Sequence, residues 1–279
     1  MSLTKVIDYY NQAHLDYEWV WRTHKNLSLH YGFYDQAHRT HHEALLNMNR
    51  VLANMAHIES KDKVLDAGCG IGGSSIWLAK NLGANVMGVN INESQLSKAR
   101  ALAEINGIQS LVHFIRRNFS DTGLESNSFD VVWGLESICY AEDKKVFLGE
   151  AKRVLKNNGR IVVADGFLKK SDLTKKERRE MDIWLEGWAV PNLAEAQSFK
   201  KDLEELGFRN IVFKDITENV MPSSRRMYWA AVLAYPIAKL MCLVGLRTEV
   251  QMKNMDAAYY QQITLRDRLW FYGVFCATK

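Results

Sequence analysis

The chain has 279 residues, of which 47% are hydrophobic and 24% are charged, and its net charge is +4. The length suits one α/β domain with insertions, and so small a net charge gives no argument for nucleic-acid binding. The cysteines lack the paired spacing of a zinc site or a disulfide framework, so we expect reduced thiols in a cytoplasmic protein. They are Cys69, Cys139, Cys242 and Cys276.

Residues 1–60 precede the first predicted strand and are rich in aromatic residues and histidines. Their periodicity predicts helices near 4–20 and 37–58, which together form an N-terminal helical cap. The aromatic side chains either pack against the main domain or line a substrate pocket. The histidines near 38–42 have no second group of ligands at a recognisable spacing, so we expect no metal site there.

The stretch 63–73 contains a short apolar run, then Asp66 and a glycine-rich turn, and an amphipathic helix follows it. Gly68, Gly70 and Gly73 have the spacing of a nucleotide-binding fingerprint. Glycine is needed in such a turn because a Cβ atom would collide with the ligand. This spacing alone predicts a nucleotide-binding turn without identifying the nucleotide.

From residue 63 onward, predicted strands and helices alternate. The alternation predicts an α/β fold of the Rossmann-like type, with a seven-stranded, mostly parallel sheet and helices on both faces. Strands are predicted at 63–67, 85–91, 111–117, 129–134, 160–165, 210–216 and 271–278. Helices between them are predicted at 73–82, 93–106, 142–156 and 193–206. We expect ligands at the carboxyl ends of the strands, where open α/β sheets bind them.

The second predicted strand reaches Asn90, about twenty residues after the glycine turn, where an acidic residue usually holds ribose hydroxyls. An amide can still hydrogen-bond a hydroxyl, but without charge assistance. The asparagine therefore argues against a nicotinamide cofactor. After the third predicted strand come Asn118 and Phe119, which by themselves are typical of a plain strand-to-loop junction.

The order and spacing of these motifs resemble those of the class I S-adenosyl-L-methionine-dependent methyltransferases. The run Asp-Ala-Gly-Cys-Gly at 66–70 resembles motif I of that class, whose acidic residue helps to hold the methionine end of the cofactor. The resemblance implies S-adenosyl-L-methionine as cofactor and S-adenosyl-L-homocysteine as product. The cofactor-binding residues that it implies are Tyr9, Asp66, Gly68, Gly70, Asn90, Ile91, Gln95, Asn118 and Phe119.

Two further stretches resemble the sterol side-chain, tocopherol and prenyl methyltransferases of this class. Residues 136–141 resemble their E-x-x-x-H-A stretch, with Tyr140 where histidine is usual. The aromatic sequence pattern near their N-terminus is matched here by Tyr9, Tyr10, Tyr17, Glu18 and Trp19. The resemblance implies that Glu136 faces the transferring methyl group and that Tyr17, Glu18 and Tyr140 are catalytic helpers. A cofactor-side or helix-capping carboxylate is the alternative for Glu136.

Two segments extend the main domain, which we place at 61–279. Residues 166–190 are charged and then rich in tryptophan, which predicts an amphipathic lid helix. Residues 219–265 are a helical insertion before the last strand. Within it, 228–246 is mostly apolar with Lys239 as its single charge, so we expect either membrane-surface contact or a buried cap over an apolar pocket rather than a span.

We therefore expect a methyltransferase of lipid or natural-product biosynthesis that acts on a small, largely apolar acceptor. The aromatic cap and the apolar insertion favour C-methylation of a prenyl- or sterol-like acceptor, with Glu136 stabilising positive charge or accepting a proton. The alternatives are O- or N-methylation of a small aromatic or amine, a dinucleotide-dependent oxidoreductase, and a non-catalytic cofactor-binding domain. We expect neither a metal nor a nucleic acid as partner, whereas membrane association and a homo-oligomer are left open.

Overall fold

The computed structural model describes residues 3–21, 27–169 and 172–279, and of residues 3 and 14–21 it describes only the backbone. The strands are β1 (Lys63–Ala67), β2 (Asn85–Asn90), β3 (Val112–Arg116), β4 (Phe129–Leu135), β5 (Leu155–Leu168), β6 (Arg209–Asp215) and β7 (Trp270–Thr278). The helices are α1 (Leu3–Trp21), α2 (His41–Met55), α3 (Gly73–Leu82), α4 (Glu93–Ile105), α5 (Lys144–Val154), α6 (Lys175–Gly187), α7 (Ala196–Glu205), α8 (Thr217–Leu243) and α9 (Glu249–Arg266). A 3₁₀ turn, Ile138–Tyr140, follows β4.

The seven strands form one sheet in the order β3-β2-β1-β4-β5-β7-β6. Strand β7 runs antiparallel to β5 and β6, and the other neighbouring strands are parallel. The predicted seven-stranded, mostly parallel Rossmann-like fold is therefore confirmed. The strand order reverses between β1 and β4, so the carboxyl ends of these two strands flank the crevice where such sheets bind ligands.

The central strands are apolar because both faces of the sheet are covered. Val64 and Trp133 belong to the hydrophobic core on one face, and their neighbours Leu65 and Val132 belong to the core on the other. Successive side chains of a strand point to opposite faces, so a strand buried on both faces has no polar alternation. The core therefore holds β1 and β4 side by side and fixes where their carboxyl ends lie.

Several element ends differ from their predicted positions. The helix predicted over 37–58 begins only at His41, because Thr40 accepts a hydrogen bond from the backbone of Glu43 in a capping box. Strand β5 extends well beyond the predicted 160–165, since it pairs with β4 from Leu155 and with β7 as far as its last residue.

Both extending segments contain helices. Helix α6 occupies much of the predicted lid at 166–190, and the insertion at 219–265 contains α8 and α9 joined by a short turn. Helix α9 packs against both α6 and α8. None of the helices in the described part of the chain combines the length and the apolar character needed to cross a membrane.

Candidate active site

Glycine shapes the turn between β1 and α3. Gly68 has a φ of +90°, and a Cβ atom there would collide with Cβ of Ser137, the residue that follows Glu136 after β4. A Cβ atom at Gly73 would collide with the backbone carbonyl of Leu27. The turn therefore brings three distant segments into close approach, which larger residues would prevent.

A cavity lies over this turn, and we call it the turn cavity. Most of the predicted cofactor-binding residues line it, namely Asp66, Gly68, Gly70, Asn90, Ile91, Gln95 and Phe119. Asn90 donates a hydrogen bond from Nδ2 to Oε1 of Gln95 at 2.8 Å. The carboxyl ends of β1 and β2 thus both contribute polar side chains to the wall of this cavity.

Two other predicted cofactor residues do not line the turn cavity. The side chain of Asn118 accepts a hydrogen bond from the backbone N–H of Ser120 at 2.9 Å and shapes the loop after β3. Tyr9 is buried, and its hydroxyl donates to Oδ1 of Asn254 at 2.8 Å. Its neighbour Tyr10 lines the cavity instead, because α1 docks with that residue against Tyr140.

Sequence reasoning missed His30, which lines the turn cavity from the segment before α2. Its Nδ1 lies 2.9 Å from the carbonyl oxygen of Tyr31, and burial lowers its pKa to about 4. The imidazole is therefore neutral at physiological pH. Only the clustering of histidines near the N-terminus hinted at a role for this segment.

Asp66 presents a buried carboxylate to the turn cavity, with 3% of its surface exposed. Burial raises its pKa to about 6, although hydrogen bonds from Ser75 oppose the shift. The Ser75 hydroxyl donates to Oδ2 at 2.6 Å. Asp66 is therefore largely ionised at neutral pH and offers a negative charge to a cationic ligand.

A second cavity of about 570 Å³ adjoins the first, and we call it the apolar cavity. Its size is typical of a site for a drug-sized molecule. Helices α6, α8 and α9 contribute to its wall, and Trp184 stacks on Trp270 there with ring centroids 4.3 Å apart. Further apolar lining residues include Tyr31, Trp188, Leu193, Met227, Ala231, Met255 and Tyr272.

The two cavities meet at a shared wall. Tyr10, Leu29, Glu136 and Tyr140 line both of them. This wall contains two of the four predicted catalytic residues, Glu136 and Tyr140. A group held in the turn cavity and a molecule held in the apolar cavity would therefore come together beside these side chains.

Glu136 receives hydrogen bonds from two distant parts of the chain. The Tyr31 backbone N–H donates to its Oε1 at 2.6 Å, and the Tyr272 hydroxyl donates to the same oxygen at 2.7 Å. Within the described residues, Oε2 accepts no hydrogen bond. Burial raises the pKa of Glu136 to about 8; these two hydrogen bonds oppose the shift and the nearby Asp165 adds to it. The side chain can therefore hold or accept a proton near neutral pH.

Tyr140 connects α1 to the rest of the site. Its hydroxyl accepts a hydrogen bond from the Tyr10 hydroxyl at 3.0 Å and donates one to the Trp188 carbonyl at 3.2 Å. The other two predicted catalytic residues, Tyr17 and Glu18, belong to α1, but their side chains lie outside the part of the chain that the structure describes. Their role stays a prediction.

Lys144 and Asp165 hold the 3₁₀ turn that carries Tyr140. The Lys144 ammonium donates to the carbonyls of Cys139 and Ala141 at 3.0 and 2.5 Å, and Asp165 accepts from the Cys139 N–H at 2.8 Å. Burial lowers the pKa of Lys144 and raises that of Asp165. Asp165 also lines the apolar cavity near the carboxyl end of β5. Open α/β sheets bind ligands at the carboxyl ends of their strands.

Among the side chains that the structure describes, no three His, Cys, Asp or Glu residues are grouped closely enough to hold a metal ion.

Known proteins provide an independent comparison. A family model described as a methyltransferase domain matches residues 65–163. The glycine/sarcosine/dimethylglycine N-methyltransferase of Actinopolyspora halophila is 29% identical over 213 residues, which cover 76% of this chain and 36% of that protein. The sterol 24-C-methyltransferase of Saccharomyces cerevisiae is 31% identical over 214 residues, covering 76% of this chain and 54% of that protein. The chain thus matches about half, or less, of the length of these curated relatives.

Solved structures share the fold over nearly the whole chain. The geranyl diphosphate C-methyltransferase from Streptomyces coelicolor A3(2), solved with Mg²⁺, geranyl diphosphate and S-adenosyl-L-homocysteine, has a TM-score of 0.72 at 19% identity. The match covers 95% of this chain and 97% of that chain. This likeness shows the fold alone. The family model, together with the two curated relatives, confirms the predicted methyltransferase class: residues 65–163 of this chain form a methyltransferase domain.

Proposed function

We propose that the protein transfers a methyl group from S-adenosyl-L-methionine to a small, largely apolar acceptor, and that it methylates carbon on a prenyl- or sterol-like molecule. The observation that carries this proposal is the wall shared by the turn cavity and the apolar cavity. When bound, the cofactor supplies an electrophilic methyl group on a positively charged sulfur. The chain then needs only to align the acceptor with that methyl group and to exclude water.

The turn cavity fits the cofactor in shape and charge. The cradle at Gly68 has no room for a Cβ atom, and the buried Asp66 carboxylate complements a cationic ligand. Asn90 and Gln95 offer amide groups to ribose hydroxyls on the same wall. We assign the cofactor to this cavity and the acceptor to the apolar cavity.

The apolar cavity suits an acceptor that becomes positively charged. Methylation of an alkene carbon leaves a carbocation, which aromatic faces and carboxylates stabilise. Tyr31 and Tyr272 present such faces in an edge-to-face pair, with centroids 5.5 Å apart. Glu136 lies beside them, and its Oε2 takes the proton that leaves when the carbon–carbon double bond re-forms.

N-methylation is the second candidate, because two carboxyl groups, Glu136 and Asp165, line the same cavity. A carboxylate can hold an amine as well as a carbocation, and the relative from Actinopolyspora halophila is named for N-methylation. The large, mostly apolar wall favours the prenyl- or sterol-like acceptor, since a glycine-sized amine would leave most of it without contacts.

An acceptor panel tests the proposal. Purified protein is incubated with methyl-labelled S-adenosyl-L-methionine and, separately, a prenyl diphosphate, a sterol, a phenol and sarcosine. We expect label in the prenyl or sterol product, with NMR placing the new methyl on carbon. Transfer only to the phenol or to sarcosine would contradict C-methylation, and cofactor binding without any transfer would support a non-catalytic domain.

Cofactor affinity is expected to increase as the pH rises from about 5 to about 7. Because the pKa of Asp66 is raised to about 6, the carboxyl is mostly neutral below that pH and mostly ionised above it. Only the ionised form attracts the cationic cofactor. Calorimetric titration across this range measures the effect, and Asp66→Asn should bind weakly with little pH dependence. Asp130→Asn, which alters an acidic residue outside both cavities, should keep the native pH dependence.

A further inference from the structure

The second half of α8 exposes a continuous apolar surface. Nine of the fourteen large hydrophobic residues that are exposed in the described part of the chain lie between 229 and 246. Five of them recur every three or four residues and so share one helical face. We call this face the α8 stripe; it consists of Trp229, Leu233, Ile237 and Leu240 on α8 and of Val244, the C-cap residue of that helix, and these five are between 57% and 73% exposed.

Another face of the same helix lines the apolar cavity. Its members also recur every three or four residues, and they are Met227, Ala231, Ala234, Ala238 and Met241. Ile237 and Met241 line the cavity and are themselves 67% and 38% exposed. The α8 stripe therefore meets the cavity wall at Ile237, and the exposed Met241 lies one helical turn further along that wall.

The charge of this segment has one sign. Residues 219–248 contain four basic residues, Arg225, Arg226, Lys239 and Arg247, and no acidic residue. Arg225 and Lys239 are exposed. Anionic lipid headgroups attract such a segment, and exposed apolar side chains on the same helix can enter the acyl boundary.

We propose that the α8 stripe docks on the surface of an anionic lipid bilayer and that an apolar acceptor enters the apolar cavity from the bilayer, past Ile237 and Met241. The helix lies on the surface and does not cross it. A second copy of the chain is the less favourable occupant, because a two-fold interface would bring this basic segment against itself.

Vesicle co-sedimentation of the full chain tests the docking without any assay of methyl transfer. The vesicles contain phosphatidylcholine alone, or phosphatidylcholine with an equal amount of phosphatidylglycerol. We expect binding to the mixed vesicles that weakens with added salt, and weaker binding to phosphatidylcholine alone. The double variant Leu233→Glu/Leu240→Glu should weaken binding by at least about tenfold, because it removes two apolar contacts and adds two repelled charges.

The matched control is Ile105→Glu, which places the same charge at a residue that is 79% exposed on α4. It should bind the mixed vesicles as the native chain does, and both variants should keep the native cofactor affinity. Equal binding by the native chain and the double variant, or no binding by either, would overturn the proposal. A different pair of results would also overturn it: light scattering shows that the native chain is a dimer and the double variant a monomer, and neither binds vesicles. A second copy of the chain would then cover the α8 stripe.

Discussion

Replacing Glu136 by glutamine is expected to lower kcat/KM for methyl transfer by about 10²- to 10⁴-fold, the usual contribution of a general base. Glutamine keeps an oxygen that can accept the hydrogen bonds from Tyr31 and Tyr272, so the local geometry is preserved. It cannot take a proton or carry the negative charge that stabilises a carbocation. Steady-state kinetics on the acceptor identified by the panel measures the loss.

Cofactor affinity separates this chemical role from a structural one. Calorimetry should give native affinity for Glu136→Gln, because the substitution changes neither the size of the side chain nor the glycine turn. Native affinity together with native turnover would remove Glu136 from the reaction.

The pH profile gives a second readout of the same group. Since the pKa of Glu136 is raised to about 8, kcat/KM of the native enzyme should rise with pH and level off above that value, where the carboxylate is ionised. The Tyr272 hydrogen bond lowers this pKa, so Tyr272→Phe should move the rise to higher pH. An unchanged profile in both variants would assign the titration to another group.

Substituting Gly68 by alanine is expected to weaken cofactor binding by about 10- to 100-fold. The residue has a φ of +90°, which an alanine adopts only at a cost of about 1–2 kcal/mol. Its new Cβ atom would also collide with Ser137, whose hydroxyl is held by the Ala67 carbonyl and cannot easily withdraw. The turn must then shift, and it lines the turn cavity to which we assign the cofactor. Calorimetric titration of the variant measures the loss.

Gly107→Ala is the matched control for this prediction. Gly107 also has a positive φ, +67°, but a Cβ atom there would have nothing within 4 Å, and the residue lines neither cavity. The free energy of unfolding of this control should fall by about 1 kcal/mol, and its cofactor affinity should stay native. Equal losses of affinity in the two variants would show that backbone strain alone explains the effect.

The sequence by itself determined the elements whose signals are local. Strand β1 and helix α3 begin and end at their predicted residues, because an apolar run, a glycine turn and a helical period lie within twenty residues of one another. Alternation of strands and helices likewise predicted the mostly parallel sheet, and the turn cavity lies where the strand ends led us to expect a ligand. Asp66 and the glycines could be placed at the site because their position depends on the turn alone.

Only the tertiary structure decided how the wall shared by the turn cavity and the apolar cavity is assembled. Glu136 meets the Tyr31 amide and the Tyr272 hydroxyl across separations of 105 and 136 residues, which no local pattern reveals. The docking of α1 selected Tyr10 over Tyr9 for the cavity wall, because adjacent helical residues point in different directions. Helix α8 is apolar on more than one face, so its sequence could not show which face lines a cavity and which stays exposed. That choice depends on where α9 and the sheet pack against it.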